Sequence, residues 1–230
     1  MPTEEIYGLI TARGNSKGIP NKNMRSINGY PLIYYSAKAA LESKYLKKVF
    51  LSTDSEYIAN YGESLGLEIP YIRPKSLAQD NSKSIDSVKH LIRNCSLNGA
   101  ICLIQPTSPL VTKNDLNKAL EIYLSTKKNV LSVSESSFQP TNTCKISSHD
   151  EMIFIKRNSG EPRQKLDKYF KLNGAIFINS IESIIAKNSL VQDKSIAFIM
   201  PKWKSIDVDD ITDLRMAELI LKNKKIFEQN

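Results

Sequence analysis

The chain alternates short apolar segments with amphipathic ones, and this alternation constrains its fold more than any other feature. Apolar runs predict strands at residues 6–12, 49–54, 68–72, 100–104, 130–133, 174–178 and 196–200. Apolar residues at helical spacing predict helices at residues 31–41, 56–65, 84–95, 112–125 and 211–224. This alternation is typical of an α/β fold with a mainly parallel sheet flanked by helices. Because ligands bind beyond the carboxyl ends of such strands, we expect the polar residues that follow them to share one site.

The alternation breaks down over residues 134–172, which are polar and rich in Ser and Asn. A hairpin is predicted near residues 152–156. A long excursion inside a compact domain is usually functional or serves an interaction. We therefore expect one α/β domain formed by residues 1–133 and 173–230, with residues 134–172 as an insertion.

The first predicted strand ends in a turn-rich basic loop. Gly14 and Gly18 permit a positive φ there. The ATP-binding loop has a different pattern, because the lysine here precedes the second glycine, and the dinucleotide fingerprint would need a third glycine. A solvated basic loop is the alternative, but the order of residues is more restrictive than three isolated cations. This order of residues favours a polyanion site formed by Arg13, Asn15, Ser16, Lys17, Lys22 and Asn23.

An acidic cluster follows the last predicted strand. If this segment is itself extended as a strand, Asp207 and Asp209 point to the same face, since strand side chains alternate. Two carboxylates on one face repel each other unless a cation lies between them. Mg²⁺ prefers hard oxygen ligands, and nucleotide phosphates complete its shell. The alternative is that an aspartate caps the next helix, a role we assign to Asp210. Asp207 and Asp209 are then predicted metal ligands, with Mn²⁺ as the alternative ion.

Composition disfavours several other classes of protein. The three cysteines match neither a disulfide framework nor a zinc spacing, and the two histidines have no partner at a ligand spacing. No run of about 18 apolar residues predicts a membrane span. The acidic N-terminus is unlike a secretory signal, so a cytoplasmic enzyme is expected. The net charge of +8 invites a nucleic-acid interpretation, but the lysines are scattered and no basic run is interleaved with aromatic residues.

Together the motifs resemble those of the acylneuraminate cytidylyltransferases, in family order and over nearly the whole chain. They are the basic loop and residues 52–54, 73–74, 77–80, 105–110, 162–164, 173–176 and 205–209. The resemblance implies a Rossmann-like nucleotidyltransferase domain. It also implies a homodimer in which the segment 134–172 reaches into the neighbouring subunit's site.

The resemblance further implies a role for each site residue. The nucleotide CTP would be bound by Arg13, Asn15, Ser16, Lys17 and Asn23, with Arg73, Ser82 and Ser84 around cytosine. The sugar acid would face Gln105, Arg163, Gln164, Asn173 and Phe177, and Arg163 would grip its carboxylate. Mg²⁺ would bind to Asp207 and Asp209. The catalytic residues would be Arg13, Lys22 and Asp209, and we assign the role of general base to Asp209, acting directly or through a metal-bound water, as a hypothesis.

In the implied reaction, the anomeric 2-hydroxyl of a nonulosonic acid attacks the α-phosphorus of CTP and pyrophosphate leaves. Both reactants are anions, so cations and Mg²⁺ would offset their repulsion. N-acetylneuraminic acid is the simplest acceptor. However, Val111 stands where many relatives place arginine, and Asn142 lies near a lysine position of sialic-acid-specific relatives. Legionaminic acid, pseudaminic acid and the eight-carbon acid of lipopolysaccharide therefore stay open as acceptors. A nucleic-acid-binding module and a non-catalytic nucleotide-binding relative are the alternatives from other classes.

Overall fold

The computed structural model describes residues 4–138, 140–156 and 167–228, and the backbone alone at Glu228. A six-stranded sheet forms the centre of the molecule, in the order β10-β6-β9-β5-β1-β4. These strands are β1 (Ile6–Thr11), β4 (Lys48–Ser52), β5 (Ala100–Ile104), β6 (Val130–Glu135), β9 (Phe170–Ser180) and β10 (Ile196–Ile199). All pairs are parallel except the two made by β9, which runs antiparallel to both β5 and β6. The predicted α/β architecture with a mainly parallel sheet is confirmed.

The helices are α1 (Leu32–Leu41), α2 (Glu56–Leu65), α3 (Ser84–Asn94), α4 (Lys113–Thr126), α5 (Ile181–Lys187), α6 (Ile211–Lys222) and α7 (Lys224–Glu228). Two short antiparallel pairs lie outside the main sheet: β2 (Ser26–Ile27) with β3 (Tyr30–Pro31), and β7 (Cys144–Ile146) with β8 (Met152–Phe154). The second pair is a hairpin whose second strand lies in the segment 152–156, where a hairpin was predicted; its first strand and turn precede that segment. No helix in the described ranges is long and apolar enough to cross a membrane.

The helix boundaries follow from local sequence signals. Thr112 and Asp115 form the predicted capping box of α4. Asp210 caps α6, because its carboxylate accepts hydrogen bonds from the backbone N–H groups of Thr212 and Asp213, at 2.7 and 3.0 Å. Helix α2 ends at Gly66, whose φ of +96° favours glycine.

The hydrophobic core covers both faces of the sheet. Because strand side chains alternate, Ile6 and Ile10 of β1 pack on one face with apolar residues of α1, α2 and α4. Tyr7 and Leu9 pack on the other face with residues of α3 and α5. A third apolar cluster contains Ile19, Leu32, Val208 and Leu214 and therefore joins the basic loop to the acidic segment.

One strand prediction was wrong, and the strand assumed for the acidic segment does not form. Residues 68–72 form no strand; Glu68 alone makes an isolated bridge to Phe50 of β4. Pro70 lacks the backbone N–H that further pairing would need. Residues 205–209 form no strand either. The backbone groups of Val208 instead bind the carbonyl oxygen of Thr107 and the amino group of Lys22. The pairing of β6 with β9 extends to Glu135 and Phe170. Both residues belong to the predicted insertion 134–172, so the sheet includes a few residues at each end of that segment.

Candidate active site

A cavity of about 240 Å³ opens at the carboxyl ends of the central strands. Arg13 follows β1 and Gln105 follows β5, and both line it. Arg73 reaches the same cavity because its backbone N–H donates to Thr53 O, just after β4, at 2.7 Å. Four cations and one carboxylate line this cavity, which we call the nucleotide cavity: Arg13, Lys22, Arg73, Lys83 and Asp80. The positive excess suits a polyphosphate.

The basic loop is held in place by buried polar contacts. The Gly14 N–H donates to the Asp54 carboxylate at 2.9 Å. The Asn23 amide donates to the carbonyl oxygen of Arg13 at 2.9 Å, and Asn23 is only 5% exposed. Asn23 therefore shapes the loop from inside the fold. Ser16 lines the nucleotide cavity, whereas Asn15 and Lys17 are exposed.

The basic loop contacts the acidic segment directly. The Lys22 amino group lies 3.1 Å from the Asp209 carboxylate and donates to the Val208 carbonyl oxygen at 2.7 Å. A Cβ atom at Gly18 would collide with the carbonyl oxygen of Asp209, so the two backbones touch where only glycine fits. Residues nearly 200 positions apart in the chain thus form one site.

Asp207 lies in the same acidic segment, beside Gly174 of β9. Partial burial of its carboxyl group raises its pKa, a hydrogen bond from Thr107 opposes that rise, and the negative charge of Asp209 adds to it. The side chain still reaches solvent. A bound cation would relieve the repulsion between these carboxylates, so the pair fits a divalent ion. No cluster of three or more potential ligands occurs in the described part of the chain, so phosphate oxygens or water would have to complete a metal shell.

Asp80 is a site residue whose charge the sequence interpretation did not weigh. Its carboxylate lies 2.7 Å from Arg13 and 2.8 Å from Lys17, two of the predicted nucleotide-binding cations. Hydrogen bonds from Lys17 and then Arg13 lower the pKa of Asp80. The carboxylate therefore offsets part of the positive charge of the basic loop in this structure. The only available signal was its position inside the motif at residues 77–80.

Arg73 is 5% exposed and donates to Ser87 Oγ at 2.9 Å. Its guanidinium also lies 3.9 Å from Asp54, and its Nε is buried without a hydrogen-bond partner in the structure. Burial lowers the pKa of Arg73, and the charge of Asp54 partly offsets that effect. The predicted cytosine-binding residues Ser82 and Ser84 line the same cavity.

The predicted acceptor-binding residues do not all lie in one place in the structure. Gln105 lines the nucleotide cavity. Asn173 is buried and accepts from Ser132 Oγ at 2.6 Å, while its amide donates to Ser205 Oγ at 2.9 Å. Phe177 packs against an apolar cluster on the sheet. Arg163 and Gln164 lie outside the described residues.

A further cavity of about 340 Å³ lies at the junction of β6, β9 and the acidic segment. Ser205, which the Asn173 amide contacts, is one of its lining residues. Lys171, Lys202 and Glu135 also line it, and the Lys202 amino group lies 4.0 Å from the Glu135 carboxylate, so Lys171 supplies the net positive charge. This pocket, which we call the lysine pocket, has room for an anionic group and a net positive charge of one.

Comparison with known proteins identifies relatives over nearly the whole chain. The sequence model of the family described as cytidylyltransferase matches residues 7–229. The N-acylneuraminate cytidylyltransferase of Escherichia coli O18:K1:H7 is 32% identical over 227 residues, covering 96% of this chain and 53% of that protein. The chain thus spans about half the length of that relative. The CMP-N,N'-diacetyllegionaminic acid synthase of Legionella pneumophila is also 32% identical, and 94% of this chain matches 96% of that protein. The pseudaminic acid cytidylyltransferase of Campylobacter jejuni is 27% identical, with coverage of 93% and 95%.

Solved structures share the fold. A CMP:2-keto-3-deoxy-manno-octonic acid synthetase complexed with CTP superposes with a TM-score of 0.72, covering 96% of this chain and 99% of that one. A 4-diphosphocytidyl-2C-methyl-D-erythritol synthase from Anaerococcus prevotii gives a TM-score of 0.65, with coverage of 96% and 97%. The sequence identities are 14% and 13%, so these similarities establish the architecture alone.

Proposed function

Because the chain belongs to the cytidylyltransferase family, we propose that it transfers CMP from CTP to the anomeric 2-hydroxyl of a nonulosonic acid and releases pyrophosphate. One observation carries the proposal: the amino group of Lys22 lies 3.1 Å from Asp209, so the basic loop and the acidic segment form a single site. A polyphosphate and a divalent cation need these opposite charges side by side. The cytoplasm, where CTP is made, is the expected compartment.

The chemistry follows from the charges around the nucleotide cavity. The acceptor oxygen forms a bond to the α-phosphorus while the bond to pyrophosphate breaks, so negative charge builds on the leaving group. Arg13, Lys17 and Lys22 would bind the phosphates and stabilise that charge. Asp209 would take the hydroxyl proton. Lys22 is paired with Asp209 in the structure and would turn toward the phosphates when nucleotide binds, which frees the carboxylate.

Asp207 and Asp209 would hold Mg²⁺, with Mn²⁺ as the alternative. The ion would supply Lewis-acid charge to the phosphate oxygens. We expect MgCl₂ to raise the melting temperature of metal-free protein that is already saturated with CTP. Asp207→Asn should abolish this rise and leave the fold intact, as judged by circular dichroism. An equal rise in the variant would show that the ion binds elsewhere.

Gln105 and the lysine pocket are the best-placed groups for the acceptor. Lys171 and Lys202 offer its carboxylate the positive charge that Val111 does not supply. N-acetylneuraminic acid remains our first acceptor, as in the sequence interpretation. Two relatives whose length matches this chain are named for legionaminic and pseudaminic acids, which supports these two acids as the second candidates.

A homodimer is also proposed, because both faces of the β7–β8 hairpin carry exposed apolar side chains. Ile146, Met152, Ile153 and Phe154 are between 49% and 63% exposed. A two-stranded hairpin is only marginally stable by itself in water, and an apolar patch of this kind marks an association surface. A second copy of the chain would cover it and would bring residues of the segment 134–172 to the neighbouring site.

The decisive assay measures pyrophosphate release from CTP, UTP, ATP or GTP against N-acetylneuraminic, legionaminic and pseudaminic acids. We expect release with CTP and one preferred acid. Asp209→Asn should retain less than about a tenth of wild-type turnover if Asp209 is the base. Folded, Mg²⁺-loaded protein that releases no pyrophosphate with any pair would overturn the proposed function.

A further inference from the structure

A second, larger cavity lies apart from the nucleotide cavity and shares no lining residue with it. Its volume is about 570 Å³, within the usual range for small-molecule sites. It lies between α1, the start of α4 and residues 202–204, and its floor includes the buried side chains of Leu110 and Val111. We call it the aromatic cavity, after Tyr30, Tyr34, Tyr35 and Trp203 in its walls.

The walls of the aromatic cavity offer flat ring surfaces. Tyr30 and Tyr34 are stacked, with ring centroids 4.1 Å apart and planes at 11°. Tyr35 meets Tyr34 edge to face at 5.5 Å, which fixes the orientation of the stack. Tyr30 is 48% exposed, so the stack can accept another planar ring.

The same cavity has a positive excess. Five lysines and two carboxylates line it. Both carboxylates are already engaged, since Asp115 lies 2.8 Å from Lys204 and Glu42 lies 3.4 Å from Lys113. Within the described ranges, no carboxylate lies within 4 Å of Lys38 or Lys118, and the nearest electrostatic partner of Lys118 that the structure gives is Glu121 of the same helix. The Lys38 amino group lies 5.7 Å from the centre of the Tyr34 ring, beside the aromatic surface.

We propose that the aromatic cavity binds a nucleoside monophosphate, either free or as the nucleotide part of a sugar nucleotide. The base would stack on the tyrosines, and the phosphate would bind Lys38 and Lys118. An uncharged apolar ligand would leave these lysines unused, and a simple anion would leave the rings unused. This proposal does not depend on the transfer reaction proposed above, because its residues are not part of the nucleotide cavity.

The chain offers a built-in probe of this cavity, because Trp203 is its only tryptophan. Trp203 is also four residues from Asp207, so binding at the active site could alter its emission. The experiment therefore uses the Lys22→Met variant, which weakens the active site. We expect CMP to change the Trp203 emission in a saturable way. Cytidine and inorganic phosphate should each bind at least about tenfold more weakly than CMP. CMP-N-acetylneuraminate is titrated in parallel, to test whether the natural ligand is a sugar nucleotide and not free CMP.

Charge-reversal variants test whether CMP binds in the aromatic cavity. In the Lys22→Met background, Lys38→Glu with Lys118→Glu should weaken CMP binding by at least about tenfold. The control is Lys187→Glu with Lys194→Glu, which makes the same change in net charge at two exposed lysines outside the cavity and should leave binding unchanged. Circular dichroism establishes that each variant is folded.

Three results would overturn the proposal. The first is no emission change in the folded Lys22→Met protein with CMP up to about 10 mM. The second is equal weakening in both charge-reversal variants, which would indicate a long-range charge effect. The third is phosphate binding as tight as CMP binding, which would indicate an anion site without base recognition. The pyrophosphate assay is independent of all three results, so failure of one proposal is distinguishable from failure of the other.

Discussion

At the scale of single residues, Lys22 joins the two halves of the site. It is held by the carbonyl oxygen of Val208 and the carboxylate of Asp209, and its side chain is only 14% exposed. We expect Lys22→Met to lower kcat/KM for CTP by about 100-fold, or about 2.7 kcal/mol, because the leaving phosphates lose a fixed positive charge. Initial rates of pyrophosphate release measure this loss. Lys44→Met, at an exposed lysine paired with Glu121, is the matched control and should stay within about twofold of wild type.

Asp80 should oppose nucleotide binding, because its carboxylate occupies Arg13 and Lys17. We expect Asp80→Asn to lower the Kd for CTP about two- to fivefold, the scale of exposed ion pairs. Isothermal titration calorimetry with CTP measures the effect. The control is Asp193→Asn, at an exposed aspartate that lines none of the described cavities. Weaker CTP binding in Asp80→Asn would mean that Asp80 supports the bound nucleotide.

Cys102 is fully buried in β5, and burial raises the pKa of its thiol far above the usual value. Since the thiolate is the reactive form, Cys102 should resist modification in the folded protein. In a Cys95→Ser, Cys144→Ser variant, we expect no reaction with a disulfide reagent at pH 8 until denaturant unfolds the chain. Rapid reaction below the unfolding transition would contradict the buried position.

At the scale of elements, the start of α4 is tied to residues 202–204 by a sheltered ion pair. The Lys204 amino group lies 2.8 and 3.0 Å from the two oxygens of Asp115, and both side chains are less than 15% exposed. Asp115 also accepts from Thr112 in the capping box. Asp115→Ala should lower the free energy of unfolding by about 3 kcal/mol, because it leaves the Lys204 charge unpaired and removes the cap.

Urea denaturation measures that loss. Asp86→Ala is the matched control, because Asp86 accepts a hydrogen bond from the Lys83 backbone N–H at the start of α3, at 3.4 Å, and forms no ion pair within 4 Å in the described structure. It should cost only about 1 kcal/mol. Similar losses in the two variants would show that the ion pair with Lys204 contributes nothing beyond the cap.

The sequence predicted most elements, because local signals determine them. The boundaries of α2 and β5 match the prediction to the residue, and Thr112 and Asp210 cap helices as expected. The errors concern partners distant in the chain. Pro70 is a local signal that residues 68–72 cannot pair fully, but nothing local shows that Thr107 and Lys22 bind the backbone groups of Val208.

The residues of the candidate site were likewise predictable from local motifs, whereas the contacts between distant residues were not. Arg13, Lys22 and Asp209 belong to motifs with a recognisable order, and the structure brings them together. The contact of Asp80 with Arg13 was not predictable, because it depends on how residues 75–83 turn over the cavity. The packing of Phe177 on the sheet depends likewise on the register of β9, which its own residues do not reveal.

At the scale of the whole molecule, the hairpin should control association. We expect the native mass in light scattering to be twice the 25.9 kDa of one chain. Ile153→Glu with Ile155→Glu should give a folded monomer, because two charges replace side chains that are 55–56% exposed in the single chain. Ile185→Glu, at a 60% exposed isoleucine of α5, is the matched control and should leave the mass unchanged. A wild-type monomer would contradict the proposed dimer.

The position of β9, which runs antiparallel to both of its neighbours, has a consequence for how the molecule folds. Strands β5 and β6 are consecutive in the main sheet along the chain, yet they never pair, because β9 lies between them. When residue 135 leaves the ribosome, β6 has no partner strand, because β9 and β10 both come later in the chain. The apolar edges of β5 and β6 that β9 will pair with therefore stay unpaired until residues 170–180 have been made. Slow synthesis across the intervening stretch would prolong the exposure of those edges, so translation speed there should affect the yield of native protein.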